Sequence, residues 1–66
     1  MKKVTGAEAR AIIEQIRKDP NNIIVLSKAQ LILETFFAEK DPESAPEFTQ
    51  IVIHTVRMES GKPLEF

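Results

Sequence analysis

The side chains of this chain that have the types and spacing for chemistry fall into two groups. The only histidine, His54, lies between Gln50 and Arg57 at spacings of four and three residues, which places all three on one side of a helix. Glutamine and arginine are residue types that read the edges of adenine and guanine in the DNA major groove. The second group consists of carboxylates close together in the sequence: Glu34, Glu39, Asp41 and Glu43.

These residue types do not form the pattern of a known catalytic, metal-binding or phosphate-binding site. The chain has no cysteine, and His54 has no second histidine with which to bind a metal ion. Asp41 does not begin the alternating oxygen ligands of a calcium loop. The two glycines, Gly6 and Gly61, are too far apart for a phosphate-binding loop. We therefore predict that the protein is not an enzyme and uses no cofactor, metal ion or small-molecule substrate.

Gln50, His54 and Arg57 form a candidate polar contact face, and DNA binding is the alternative function that it suggests. A dimeric helix-turn-helix-like regulator would use the helix at residues 45–59 as its reader. DNA affinity depends largely on Lys and Arg side chains against phosphates, but this helix has one basic residue and the chain has a net charge of −1. DNA is therefore not the favoured partner. The four acidic residues of the second group are interpreted as a solvated surface, or as a weak docking patch for a basic partner.

Three helix-start signatures indicate which elements position these residues. A hydroxyl residue is followed three positions later by Glu or Gln, as in a capping box, at Thr5 and Glu8, Ser27 and Gln30, and Ser44 and Glu47. Each signature precedes a run of apolar residues with helical spacing. We predict a single domain at residues 1–66 that is a small all-α, three-helix fold, with helices at about 6–18, 28–40 and 45–59.

Two segments are rich in β-branched residues and leave alternatives open. The first, residues 23–26, is a candidate short extended segment, with Leu26 and Leu31 forming a hydrophobic staple around a cap at Ser27. The second is residues 51–56, and it gives an alternative α+β fold of two helices and a C-terminal β-hairpin.

Helical periodicity favours a third helix over that hairpin. A repeat of 3.6 residues places Phe48, Ile51, Val52 and other apolar side chains on one face, and leaves Ile53 out of place. A repeat of two residues mixes polar and apolar side chains on each face. The all-α prediction follows from this difference.

Hydrophobic residues make up 42% of the chain, and a domain of 66 residues has little interior in which to bury them. We therefore predict a non-enzymatic protein–protein interaction module that binds another protein or itself. A homodimeric regulator, inhibitor or small structural subunit fits this description. The candidate apolar interface consists of side chains on the outer side of the second helix and elsewhere: Leu31, Thr35, Ala38, Ile53, Leu64 and Phe66.

The apolar runs are too short for a membrane protein. The longest, residues 23–26, is far below the ~20 residues of a transmembrane helix. The basic start of the chain is followed by polar and charged residues rather than by the apolar core of a secretory signal. We expect no contact with membranes and a cytoplasmic location.

Overall fold

The computed structural model describes residues 3–60, and over this range it consists of three α-helices without a β-strand. The helices are α1 (Gly6–Lys18), α2 (Ile23–Ala38) and α3 (Ala45–Ser60), and each of them packs against the other two. The prediction of a small all-α domain is confirmed. The β-hairpin alternative is not favoured, because its first strand would fall inside α3.

The first helix begins at the predicted capping box. The Glu8 backbone N–H donates to the Thr5 hydroxyl at 3.1 Å, and the Thr5 backbone N–H donates to the Glu8 carboxylate at 2.9 Å. The helix ends where the backbone N–H of Asp19 donates to the carbonyls of Gln15 and Ile16. Both bounds of the first predicted helix are therefore confirmed.

The second helix begins at Ile23, five residues earlier than predicted, and its N-cap is Asn22. The Asn22 side-chain oxygen accepts hydrogen bonds from the backbone N–H groups of Ile24 at 2.9 Å and Val25 at 3.3 Å. The predicted extended segment at residues 23–26 is therefore wrong, and so is the predicted cap at Ser27, which lies inside the helix.

The hydrophobic staple between Leu26 and Leu31 fails with that cap. Asparagine caps a helix as well as serine does, so the capping preference alone does not choose between Asn22 and Ser27. Packing makes the choice, because the additional turn brings Val25 and Leu26 against the core. That burial outweighs the weak helix propensity of β-branched residues, which costs less than about 0.7 kcal/mol per residue.

We expect Asn22→Ala to lower the free energy of unfolding by about 1 kcal/mol, because two backbone N–H groups lose their acceptor. Ser27→Ala is the matched control, since Ser27 is exposed inside α2 and should have an effect below about 0.5 kcal/mol. Urea denaturation followed by circular dichroism measures both. A larger loss for Ser27→Ala than for Asn22→Ala would contradict the observed start of α2.

The core lies where the three helices meet, and α1 and α2 supply most of it. Ile16 is fully buried and Leu33 is 1% exposed. One alanine on each of these helices, Ala9 and Ala29, is buried with these larger side chains. The buried apolar cluster is Ala9, Ile12, Ile16, Ala29, Leu33 and Val56.

The face that α3 presents to the core overlaps the predicted apolar face only in part. Ala45, Thr49 and Val56 are buried, whereas Phe48 and Ile51 are exposed. The side chains buried in the first half of α3, Ala45 and Thr49, are small, whereas the bulkier Phe48 and Ile51 remain about half exposed. Burial of Thr49 costs free energy, because its hydroxyl has no hydrogen-bond partner within residues 3–60.

Ile53, which the predicted face left out of place, is partly buried against the core. Ile53 lies on the same side of α3 as Ala45 and Thr49, and this side packs against the other two helices. Met58 lies on the side turned away and is 63% exposed. The predicted apolar face of α3 is therefore right for Val52 and Val56, which lie at the core, and wrong for Phe48 and Ile51; the helix itself is confirmed.

Candidate protein-binding surface

The outer side of α2 carries a line of residues that we call the α2 seam: Ile24, Lys28, Leu31, Thr35 and Ala38. Their spacing alternates between four and three residues, which is the spacing of contact positions in helix–helix pairs. Leu31 is 70% exposed and Ile24 is 69% exposed. At 1.5 Å per residue the seam is about 21 Å long. It therefore exposes two large apolar side chains, Ile24 near the start of α2 and Leu31 at its middle.

The polar group of Thr35 is satisfied within the helix. Its hydroxyl donates to the Leu31 carbonyl at 2.8 Å, so it does not need a partner from another molecule. Thr35 and Ala38 are both half-buried and small. This end of the α2 seam is therefore low and largely apolar, whereas Ile24 and Leu31 project from it.

Three of the predicted interface residues, Leu31, Thr35 and Ala38, lie together on this seam. Ile24 was missed because residues 23–26 were interpreted as an extended segment, although its position seven residues before Leu31 is a helical signal. Ile53 lies against the core and offers little surface. Leu64 and Phe66 lie outside the described residues.

The predicted polar face is exposed on α3, but one of its members is already engaged. The Arg57 Nε–H donates to the Pro20 carbonyl at 2.9 Å, and its Nη2 donates to the Asn21 side-chain oxygen at 3.2 Å. Arg57 therefore ties α3 to the connection between α1 and α2. Contact with a guanine edge would require these bonds to be given up, while Gln50 and His54 are exposed beside it. DNA readout by this face stays a prediction.

No family model, no curated protein and no solved structure matches this chain. In the described part of the chain, no three His, Cys, Asp or Glu side chains are grouped as ligands for a metal ion. None of α1, α2 and α3 combines the length and apolarity needed to cross a bilayer.

A second surface lies between the end of α2 and the start of α3. It is an open groove with a volume of about 410 Å³, and we call it the aromatic groove. The Phe37 ring meets the Phe36 ring edge-on, with centroids 5.6 Å apart, and the Phe48 ring in the same way at 6.1 Å. The groove is lined by Phe36, Phe37, Phe48 and Val52, with Glu39, Lys40 and Asp41.

This groove was not predicted, because helical spacing places Phe48 on the apolar face of the third helix, which was expected to be buried. The available signal was a pair of aromatic residues, Phe36 and Phe37, directly before a charged connection, with Phe48 soon after it. Two carboxylates of the predicted acidic group, Glu39 and Asp41, lie at this groove. The structure thus places part of the acidic group beside an apolar surface, an arrangement that sequence spacing alone does not reveal.

Proposed function

We propose that this domain is a non-enzymatic protein–protein interaction module that forms a homodimer through the α2 seam, as a small regulator, inhibitor or structural subunit would. The observation that carries the proposal is the 70% exposure of Leu31 at the centre of the seam. Full burial of one leucine side chain contributes about 1.5–3 kcal/mol. In a homodimer two such side chains are buried at once, one from each copy.

The α2 seam is arranged symmetrically about Leu31, which suits a two-fold dimer. Ile24 and Ala38 each lie seven residues from Leu31. In an antiparallel pair of α2 helices, Leu31 would pack against its own copy on the axis, and Ile24 would face Ala38 of the second copy. A large side chain opposite a small one lets the helices approach closely. Lys28 can lay its aliphatic part along the contact and keep its ammonium group in water.

The size of the α2 seam sets the expected strength of the dimer. A stable interface buries about 800 Å² on each partner, and a seam about 21 Å long on one helix buries less surface than this. We therefore expect a reversible dimer with a dissociation constant in the micromolar range, which corresponds to about −8 kcal/mol or weaker.

Sedimentation equilibrium at protein concentrations from about 1 μM to 500 μM tests the proposal, because this range brackets micromolar dissociation constants. We expect the weight-average mass to rise from that of the 7.5 kDa chain to twice that value. A monomer over the whole range would rule out the homodimer. A mass that continues to rise beyond the dimer would contradict the two-fold arrangement, since a closed two-fold pair has no free seam.

A further inference from the structure

We propose that the aromatic groove binds a cationic amphipathic segment of a partner protein, with apolar side chains in the groove and Lys or Arg side chains against the carboxylates around it. This inference rests on the proposed function in one respect, that the domain binds proteins. It concerns a surface other than the α2 seam. It names the chemistry of the partner rather than a second copy of the chain.

The apolar half of the argument comes from the walls of the groove. Phe48 lines the groove and is 49% exposed. Phe36, Phe37 and Val52 are partly buried and complete the apolar lining. A concave site of about 410 Å³ with aromatic walls has room for more than one large side chain. Amphipathic helices bind such grooves through anchors one turn apart.

The other half of the argument is charge. The segment 39–47 contains four carboxylates, Glu39, Asp41, Glu43 and Glu47, and one ammonium group, Lys40, so its net charge is −3. All five side chains are exposed. The net charge of the whole chain is only −1, so negative charge is concentrated in this segment of the sequence. The field here favours a cationic partner and steers it toward the groove.

The same charge discriminates between apolar ligands. A fatty acid, an anionic membrane surface or a nucleic acid would bring negative charge to a segment that is already at −3. A basic amphipathic peptide brings the apolar surface and the opposite charge together. The groove and its surroundings are therefore complementary to one class of partner in both respects.

The test uses a synthetic peptide of about 15 residues, four turns of helix, made of Leu, Ala and Lys in an amphipathic pattern with one Phe. The comparison peptide has Glu in place of every Lys. Both are titrated into the ¹⁵N-labelled full chain at about 50 mM salt, where screening is modest. We expect saturable shifts in residues 36–52 with the Lys peptide, and affinity at least about tenfold lower for the Glu peptide. Equal affinities, or no binding of the Lys peptide, would overturn the inference.

A charge-reversal pair locates the binding site. We expect Glu39→Lys, at the groove, to weaken binding of the Lys peptide about tenfold. Glu14→Lys makes the same change of charge at an exposed position of α1 and should have an effect within about twofold, since its ion pair with Arg17 is a long, exposed one. Equal losses in both variants would mean that only the overall charge matters, and the groove would be rejected.

The outcomes separate this inference from the homodimer. Sedimentation of the same samples shows whether the dimer forms, whatever the peptide does. An intact dimer without peptide binding would remove the groove inference alone. Peptide-induced shifts confined to the α2 seam would also reject it. Tighter binding of laurate or of anionic phospholipid vesicles than of the Lys peptide would assign the groove to lipids and overturn the proposal.

Discussion

Leu33→Ala should lower the free energy of unfolding by about 2–5 kcal/mol, whereas Leu31→Ala should change it by less than about 0.5 kcal/mol. The two leucines lie two residues apart on α2, and the substitution removes the same atoms from each. Leu33 is 1% exposed and belongs to the buried cluster where the three helices meet, while Leu31 is 70% exposed. The loss at Leu33 combines burial lost by the side chain with the cavity that it leaves.

The size of the domain makes this difference easy to measure. A chain of 66 residues has a total stability of roughly 3–10 kcal/mol, so Leu33→Ala removes a large part of it. Urea denaturation followed by circular dichroism, at a protein concentration low enough to keep the dimer dissociated, measures both variants. Similar losses for Leu31→Ala and Leu33→Ala would contradict the orientation of α2.

Leu31→Glu should weaken self-association about 100-fold or more, which corresponds to about 2.7 kcal/mol. In the antiparallel dimer that we propose, the two copies of residue 31 would meet on the two-fold axis. The substitution therefore removes two leucine contacts and places two carboxylates close together at the centre of the interface. The folded monomer should be nearly unaffected, because the side chain is already in solvent.

Gln30→Glu is the matched control for this prediction. Gln30 is exposed, next to Leu31 in sequence, and lies off the α2 seam, so the variant gains the same charge without losing an apolar contact. We expect its dissociation constant to stay within about threefold of the wild-type value, as for a charge at the rim of an interface. Sedimentation equilibrium on the two variants distinguishes a specific seam from general repulsion. Equal weakening by both would argue against Leu31 as the centre of the interface.

Local signals in the sequence predict α1 completely. The Thr5 capping box, the apolar stripe of the helix and Pro20 after it all agree on the same bounds. For α2 the local signals conflict, since Asn22 and Ser27 are both good N-caps with apolar residues after them. Only the packing of Val25 and Leu26 against the other helices decides between them. That information is tertiary and has no local signature.

The candidate sites show the same division between local and tertiary information. Leu31, Thr35 and Ala38 share one side of a helix, so spacing alone brings them together. The aromatic groove depends on which side of α3 faces the core, and Ala45 and Thr49 are among the side chains buried on that side. A pattern of large apolar residues at helical spacing does not identify small residues such as Ala45 and Thr49 as part of the contact face. It therefore assigned Phe48 to the core.

The contacts of Arg57 have a consequence for the order of events in folding. The Thr5 and Asn22 caps join residues at most three positions apart, so they form as soon as a helical turn does. The bonds from Arg57 join residues 36 and 37 positions apart, and they need α3 to be docked. The connection between α1 and α2 therefore gains these restraints only when the last helix arrives. Formation of these two bonds therefore reports the docking of α3, whereas the local bond between the Asn22 N–H and the Asp19 carbonyl does not depend on it.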